Sequence, residues 1–361
     1  MKVCKCWMRL YMHTKERFIF LSIKEEWDKL TDVMLISQNQ VKNALSMERI
    51  IDIVEQIFSV HGNDQVLMPS KITLDLGEGN EWPPYGGSFN AMPAYIGKEM
   101  DISGIKWVCG FEGNRAKGLP YISGTILLND PRTGELLALM DGSYITDYRT
   151  GAATGVAVKY LAKKDASVVG IIGAGIQART NLMAIAAVAP IQKAKIIDIN
   201  KEVASAFAEE MSKELNIEVV VADTNQEVVE ESDIIVTVTT ANTPLVMKEW
   251  LQEGSLVISV GSFQELDETI PLTADKLVVD HWEQNTHRGE LTKLIEAGHL
   301  TEKNLYAELP EIVTNRKKGR ENEKEIICAC LIGIGSTDIG IAHEIYKDIK
   351  NSGEFQVFPI R

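Results

Sequence analysis

A glycine-rich turn between a predicted strand and a predicted helix constrains the fold of this 361-residue chain more than any other feature. The sequence reads Val168-Val-Gly-Ile-Ile-Gly173-Ala-Gly175-Ile-Gln-Ala178, the pattern G-x-G-x-x-A after a β-branched run. Gly173 permits the tight turn, Gly175 lets the backbone approach a pyrophosphate, and Ala178 keeps the helix close to the sheet. The start of such a helix offers free N–H groups to phosphate oxygens. The turn therefore predicts a dinucleotide-binding βαβ unit.

An acidic residue follows the next predicted strand, which ends in Lys195-Ile-Ile-Asp198. A carboxylate at this place accepts hydrogen bonds from the ribose hydroxyls and repels a 2′-phosphate, so NAD(H) is favoured over NADP(H). We expect Ile176 and Gln177 inside the turn, and Thr239 at the end of a later strand, to line the same cofactor site. The alternative is a glycine turn with a capping Asp198 and no ligand.

The second half of the chain alternates strands with helices. Each strand is a short β-branched run without polar alternation, which is typical of a parallel strand buried on both faces. Six of them with intervening helices predict an α/β fold, a Rossmann-type doubly wound parallel sheet. The predicted strands are Ser167–Ile172, Lys195–Ile199, Glu218–Ala222, Asp233–Thr239, Ser255–Val260 and Lys276–Asp280.

The first half has a different pattern. Residues 22–60 have helical periodicity, with Ser46 as a candidate N-cap. Residues 66–142 alternate short apolar segments with Gly, Pro, Asn and Asp, which predicts a mostly antiparallel sheet. A helix is predicted at 147–162, and near the C-terminus a strand at 325–331 and a helix at 337–350, which we expect to pack back on the first domain.

These patterns predict two domains and an extension. A smaller α+β domain for substrate binding and dimerisation comprises residues 21–145 with 326–361. The Rossmann domain comprises residues 146–325, and residues 1–20 form an N-terminal extension to which we assign no function.

The composition excludes several classes of partner. With 37 Lys and Arg against 51 Asp and Glu, the formal net charge is −14, which disfavours binding to nucleic acid or to anionic membranes. No apolar stretch is long enough for a membrane span, and the charged N-terminus lacks a signal-peptide core. The five cysteines form no even disulfide framework, so a reducing, cytoplasmic compartment is expected.

Three further segments, together with the glycine turn, carry a family resemblance. Met92-Pro-Ala-Tyr95, Gly104-Ile-Lys106-Trp-Val108 and Asp147-Tyr-Arg149-Thr150-Gly-Ala-Ala153 precede the turn in this order. The sequence resembles the ornithine cyclodeaminase/mu-crystallin family from about residue 30 to about residue 350. The resemblance implies a homodimer, a first domain completed by the C-terminal segment, and a Rossmann domain that binds NAD.

The resemblance also implies the site residues. Lys106 and Arg149 would bind the α-carboxylate of an amino acid, and Lys71 stands where the family usually has a third basic residue, an arginine. The Thr150 side chain would face the phosphates of the cofactor. Asp280, at the end of the sixth strand, would meet the substrate amine as the acid/base group, so Asp280 and Lys106 are the candidate catalytic residues.

Each assignment has a structural alternative. Arg149, predicted in the first turn of a helix where a cation is unfavourable, could form a surface salt bridge instead. Lys106 could face outward from its strand, and Asp280 could be a strand-end cap. His281, Glu283 and His287 lie close together, but no further ligand motif accompanies them, and no metal site is predicted.

The resemblance implies hydride exchange between NAD and the Cα of an amino acid. In the cyclodeaminase version the distal amine of ornithine attacks the imine, ammonia leaves, and the returning hydride gives proline, which is the activity expected first. The position two residues before Met92, where cyclodeaminases tend to hold an acid, is Asn90, which pairs less well with an ammonium. A ketimine or pyrroline-carboxylate reductase, an alanine-type dehydrogenase, and a non-catalytic mu-crystallin-like binding protein remain the alternatives.

Overall fold

The two patterns of the sequence correspond to two eight-stranded sheets. The computed structural model of the protein describes residues 32–78 and 82–360. The predicted extension 1–20 lies outside the described residues. The strands are β1 (Asp32–Ile36), β2 (Val66–Leu67), β3 (Ile72–Glu78), β4 (Gly86–Ile96), β5 (Ile102–Gly110), β6 (Ile122–Asn129), β7 (Leu136–Asp141), β8 (Val168–Ile172), β9 (Lys193–Ile197), β10 (Glu218–Val221), β11 (Ile234–Thr237), β12 (Leu256–Val260), β13 (Lys276–Val279), β14 (Ala307–Glu308), β15 (Ile327–Leu331) and β16 (Gln356–Pro359).

Eleven α-helices connect these strands within the described residues. They are α1 (Gln38–Ala44), α2 (Met47–Gly62), α3 (Ser143–Leu161), α4 (Ile176–Val188), α5 (Lys201–Leu215), α6 (Asn225–Glu230), α7 (Thr269–Thr273), α8 (Trp282–His287), α9 (Thr292–Glu296), α10 (Leu309–Val313) and α11 (Gly335–Ser352). Short 3-10 helices cover Glu112–Lys117, Lys248–Trp250 and Glu302–Asn304. None of the helices in the described part of the chain is long and apolar enough to cross a membrane.

The first sheet has the order β16-β1-β7-β6-β5-β4-β2, and β3 pairs with the N-terminal part of β4 at the same edge as β2. It is antiparallel except for the parallel pair β1 and β7. Alternate residues of β5 point inward, so Gly104, Lys106 and Val108 are buried while Trp107 is exposed. The inner face therefore presents Lys106 to the helices that cover it.

The expectation that residues 22–60 are helical is wrong for residues 32–36. Asp32–Ile36 is a strand that pairs with β7 and β16. The prediction failed because so short an apolar run fits the helical and the strand period equally well, and the pairing partners come from distant parts of the chain. The predicted start of α2 is confirmed, since the Ser46 hydroxyl accepts from the Arg49 N–H at 3.3 Å. Residues 22–31 lie outside the described part of the chain.

The second sheet is parallel, with the order β10-β9-β8-β11-β12-β15-β13-β14. The six predicted strands are all present in it. The chain runs outward from β8 on one side and from β11 on the other, so the strand order reverses between these two. Ligands of doubly wound sheets bind outside the carboxyl ends of the strands at such a reversal. This confirms the predicted Rossmann architecture.

The C-terminal segment is divided between the two sheets, which differs from the predicted boundary at 326. β15 lies between β12 and β13 and is fully buried, whereas only α11 and β16 return to the first sheet. The apolar run Ile-Cys-Ala-Cys-Leu of β15 indicated burial but not which sheet would bury it. As a result, the short loop between β15 and α11 crosses from one sheet to the other.

Helix α3 lies between the sheets and is buried along most of its length. It packs closely on α4, where a Cβ at Gly151 would overlap the backbone carbonyl of Thr180. The helix begins at Ser143, four residues before the predicted start at Asp147. Arg149 therefore lies in the second turn, and the argument that placed it in the first turn is wrong.

Candidate active site

The glycine turn shapes a cleft at the carboxyl end of β8. Gly173 has φ +102°, and a Cβ on it would lie 3.0 Å from the Val238 carbonyl oxygen, so glycine is required there. Gly175 caps α4 without a side-chain hydrogen bond, and no atom lies within 4 Å of where its Cβ would be. Gly175 therefore leaves room for a ligand at the N-terminus of α4, where the N–H groups of the first turn suit a phosphate.

A cavity of about 720 Å³ lies in front of this turn and contains Asp198 and Thr239 in its wall. One oxygen of Asp198 accepts from the Ala174 N–H at 2.8 Å, and the other from the Asn200 N–H at 2.9 Å. Each oxygen keeps a lone pair that a ribose hydroxyl can use. The residues of the cleft fit a dinucleotide in shape and in hydrogen-bonding capacity.

The remaining predicted cofactor residues differ in their surroundings. Ala178 is fully buried at the helix–sheet contact, while Ile176 is half exposed. The Gln177 amide donates to Asp147 at 3.2 Å. The Thr150 hydroxyl donates at 2.8 Å to the Thr146 carbonyl within α3, so its expected role toward the phosphates stays a prediction.

Glu265, which sequence reasoning missed, holds Thr239 in place. One of its oxygens accepts from the Thr239 N–H at 2.8 Å and from the Thr239 hydroxyl at 2.6 Å. Glu265 is fully buried, and loss of hydration raises its pKa to about 7. Glu290, buried next to it, accepts from the Glu265 N–H at 2.9 Å. The buried carboxyls of Glu265 and Glu290 thus hold the wall of the cofactor cleft in position.

The two cations predicted to bind a carboxylate converge on a third residue, Asp338. The same oxygen of Asp338 lies 2.7 Å from Lys106 Nζ and 3.1 Å from Arg149 Nε. All three side chains are buried, and the second Asp338 oxygen is buried with no hydrogen-bond partner among the residues that the structure describes. Burial lowers the pKa of Lys106 to about 8, while the Asp338 charge opposes this change. Lys106 does not face outward from its strand, and Arg149 does not form a surface salt bridge.

Asp280 follows β13 and is buried at the edge of the same region. One of its oxygens accepts from the Gly333 N–H at 2.6 Å. The other accepts from the His281 N–H at 3.0 Å and from the Asn285 amide at 3.1 Å. These donors hold the carboxylate in one orientation beside the loop between β15 and α11.

Gly333 is where three of the candidate site residues meet. It has φ +78°, and a Cβ on it would overlap the Arg149 guanidinium, lying 2.8 Å from its central carbon. Lys71 Nζ donates at 3.4 Å to the carbonyls of Ile332 and Gly333. Loss of hydration lowers the pKa of Lys71 to about 7, although Asp280 raises it and Arg149 lowers it further. The structure thus brings Lys71, Arg149 and Asp280 to one glycine.

Asn90 lies on the inner face of the first sheet near Arg288, a residue that sequence reasoning missed. The Asn90 amide oxygen accepts from the Thr73 hydroxyl at 2.7 Å and from the Arg288 guanidinium at 3.3 Å. Arg288 directly follows α8, two residues before the buried Glu290. Asn90 thus lies beside a cation.

No group of three His, Cys, Asp or Glu side chains in residues 32–78 and 82–360 is arranged to hold a metal ion. The Nδ1 atom of His281 accepts from the Gln284 N–H at 3.4 Å, and it caps α8. Cys328 and Cys330 are buried on one face of β15 with their sulfur atoms 4.0 Å apart, which confirms the predicted burial of this pair.

Comparison with known proteins identifies the family. The model of the ornithine cyclodeaminase/mu-crystallin family matches residues 31–353. The chain belongs to this family. It is 34% identical over 328 residues to the alanine dehydrogenase of Archaeoglobus fulgidus, covering 89% of this chain and 97% of that one.

Two solved structures of the family resemble the whole described fold. One is the Δ1-pyrroline-2-carboxylate reductase of Thermococcus litoralis in complex with NADH and L-proline, with a TM-score of 0.84, 39% identity, and coverage of 90% of this chain and 99% of that one. The other is an archaeal alanine dehydrogenase dimer with bound NAD, with a TM-score of 0.84, 32% identity, and coverage of 91% and 100%.

Within this family fold, the residues that sequence reasoning missed share one property. Asp338, Glu265 and Arg288 act through partners that are far away in the chain. In the sequence, Asp338 is an acid in the first turn of a predicted helix. Acids are common there because they interact favourably with the helix dipole, so its position did not indicate a site residue. The sequence signal for Glu265 was its position in the loop that follows β12, at the edge of the sheet where ligands bind.

Proposed function

We propose that the protein catalyses the reversible NAD-linked interconversion of a 2-amino acid and its 2-imino acid. The observation that carries this proposal is the position of Lys106, Arg149 and Asp280 around one loop, beside a dinucleotide cleft at the carboxyl edge of the parallel sheet. Two buried cations suit the α-carboxylate, and a buried carboxylate suits the nitrogen on the same carbon. The protein is an enzyme, and a purely ligand-binding role would not need an acid/base group at this place.

The cofactor is NAD. The Gly173 turn, the open N-terminus of α4 and the Asp198 carboxylate fit its pyrophosphate and its ribose, and the similar solved structures contain NADH or NAD. When bound, NAD accepts a hydride from the substrate Cα or returns one to it. A 2′-phosphate would meet the Asp198 charge, which disfavours NADP.

The residues of the chain supply positioning and proton transfer. Lys106 and Arg149 bind the substrate carboxylate and thereby fix the orientation of Cα. Asp338 already partly neutralises these two cations, so they remain ordered in the buried site before the substrate arrives. Asp280 takes a proton from the substrate nitrogen when the amine is oxidised and returns it when the imine is reduced.

Net oxidoreduction is preferred here to ornithine cyclodeamination, the activity expected first from the sequence. Cyclodeamination requires a site that holds the distal amine of ornithine near the reacting carbon. The contacts of Asn90 argue against an ammonium there, because its oxygen is already occupied by Thr73 and by the cation Arg288. Ornithine cyclodeamination stays a prediction that the following measurement decides.

Turnover of a panel of amino acids tests the proposed function. The enzyme is incubated with NAD⁺ or NADP⁺ and L-alanine, L-proline, L-ornithine, L-aspartate or L-glutamate, and NADH absorbance is followed. We expect NADH to accumulate with at least one amino acid, and with NAD⁺ in preference to NADP⁺. Conversion of ornithine to proline without NADH would establish cyclodeamination instead, and no turnover of any amino acid, nor of its 2-oxo acid with ammonium and NADH, would contradict the proposal.

Replacing Asp280 with Asn tests the acid/base role. Asp280→Asn keeps the size and most hydrogen bonds of the side chain but cannot accept a proton. We expect kcat to fall by about 10²- to 10⁴-fold, the usual contribution of general acid–base catalysis, with NADH binding nearly unchanged. The acidic limb of the pH–rate profile should also vanish. Wild-type kcat with an unchanged profile would mean that Asp280 is only a strand-end cap.

We also infer a homodimer built on the outer face of the first sheet. This face exposes Ile72, Leu74, Trp107 and Leu139, and Trp107 stacks on Phe89 with ring centroids 5.3 Å apart. Apolar side chains concentrated on one sheet face favour association, and a solved relative is a dimer. Sedimentation at micromolar concentration should give twice 40.0 kDa or a multiple of it. A stable monomer at that concentration would refute the dimer.

A further inference from the structure

One end of the substrate region presents hydrogen-bond donors of Asn90 and Arg288 to a ligand. Asn90 lies on β4 two residues from Met92, which pairs with Lys106 on β5. Because side chains of a strand alternate between the faces, Asn90 and Lys106 lie on the same inner face as diagonal neighbours. Asn90 is therefore within one side-chain length of the place where the substrate carboxylate binds.

The orientation of the Asn90 amide is fixed by its neighbours. An arginine can only donate, so the atom that lies 3.3 Å from the Arg288 guanidinium must be the amide oxygen. The Thr73 hydroxyl donates to this same oxygen at 2.7 Å. What Asn90 offers a ligand is therefore its NH₂ group, a donor. Arg288 also offers only donors, and its guanidinium has five N–H groups.

The charges of the site are unbalanced in the same direction. Four basic side chains, Lys71, Lys106, Arg149 and Arg288, lie around it with the three carboxylates of Asp147, Asp280 and Asp338, so bases exceed acids by one. The α-carboxylate and the α-ammonium of an amino-acid substrate offset each other, so the excess positive charge remains. A distal ammonium would add another next to Arg288, whereas a distal carboxylate would bring the cluster close to neutrality. Arg288 and Asn90 are partly buried, so water screens this difference only in part.

There is space for a longer side chain beside these donors. A cavity of about 1260 Å³ includes Thr73 and Arg288 in its wall. Asp75 and Glu112 also line it. Asp75 is two residues beyond Thr73 on β3 and pairs with Ser88, so it lies farther from Lys106 than Asn90 does. The Asp75 carboxylate accepts from the Gly77 N–H at 2.8 Å and is exposed. Asp75 and Glu112 are both exposed, so water screens their effect on a ligand bound to Arg288.

We propose that the substrate is a 2-amino dicarboxylic acid or its 2-imino form, whose distal carboxylate binds to the Arg288 guanidinium and the Asn90 NH₂ group. This inference rests on the proposed function and names its substrate class. Arg288 is the residue that determines specificity, since a planar guanidinium binds a carboxylate through two parallel hydrogen bonds. The chain length of the acid follows from the experiment, which includes four- and five-carbon ligands.

Matched pairs of acid and amide test the proposal, because they differ only in the charge of the distal group. Dissociation constants of L-glutamate and L-glutamine, and of L-aspartate and L-asparagine, are measured by calorimetry on the enzyme–NADH complex. In at least one pair the acid should bind 10- to 100-fold more tightly than the amide. In Arg288→Gln this ratio should fall to near one while the amide binds as before, and Arg288→Lys should restore part of it.

Two further variants make the result specific. Arg132→Gln removes an exposed arginine paired with Asp130 far from the site, and it should keep the wild-type ratio. Asn90→Asp replaces the donor with a carboxylate, which should weaken binding of the acid and strengthen binding of L-ornithine. Retained NADH binding identifies variants that are correctly folded.

Equal binding of acid and amide by the wild-type enzyme would overturn the proposal, as would an acid preference that survives Arg288→Gln. Failure of this inference is distinguishable from failure of the proposed function. NADH formation from alanine or proline without any acid preference would leave the function standing and remove the dicarboxylate. An acid preference in binding, without turnover of any amino acid or imino acid, would support the dicarboxylate ligand and contradict the proposed function.

Discussion

The buried ion cluster of Lys106, Asp338 and Arg149 is the interaction on which the arrangement of the site depends. Each member comes from a different element, namely β5, α11 and α3. Removing three charged groups from water is costly, and an unpaired cation in this position would destabilise the fold by several kcal/mol, about 3–5. The single Asp338 carboxylate offsets this cost for two cations. The two cations and one carboxylate of the cluster leave an excess positive charge, which favours the substrate carboxylate that we propose binds there.

The connection from β15 to α11 makes this cluster possible. β15 belongs to the parallel sheet and α11 covers the first sheet, so the loop through Gly333 carries the chain from one to the other. Gly333 donates its N–H to Asp280 and lies against the Arg149 guanidinium. A group from the cofactor half and a group from the substrate half are thereby held at one residue. The path of the chain, rather than a local motif, brings Asp280, the proposed acid/base group, next to Arg149, a proposed carboxylate-binding group.

The parts of this account that depend on neighbours in sequence could be predicted. The Gly173 turn follows from the conformational freedom of glycine and the short strand before it, and the cap at Ser46 from a side chain that binds its own helix. Continuous apolar runs indicated six parallel strands. These signals act over a few residues, so the sequence carries them in a readable form.

The remaining features depend on partners that are distant in the chain. The burial of β15 was evident, but burial does not specify which sheet provides it, and β1 has the same ambiguity between strand and helix. Asp338 is 189 positions from Arg149, and Arg288 is 198 from Asn90, so no periodicity relates them. Glu265 binds Thr239 across a loop. Identifying such contacts requires the three-dimensional arrangement, and these contacts define the chemistry of the site.

The most direct measurement of the central claim compares urea unfolding of Asp338→Asn with that of Asp348→Asn. Both aspartates lie on α11, but Asp348 pairs with Arg49 on the surface, where an ion pair contributes at most about 1 kcal/mol. If the buried cluster organises the site, Asp338→Asn lowers the free energy of unfolding by about 3–5 kcal/mol, because two cations then lack their shared anion. It should also alter amino-acid binding to the enzyme–NADH complex. Equal stability of the two variants, with amino-acid binding unchanged in both, would contradict the account.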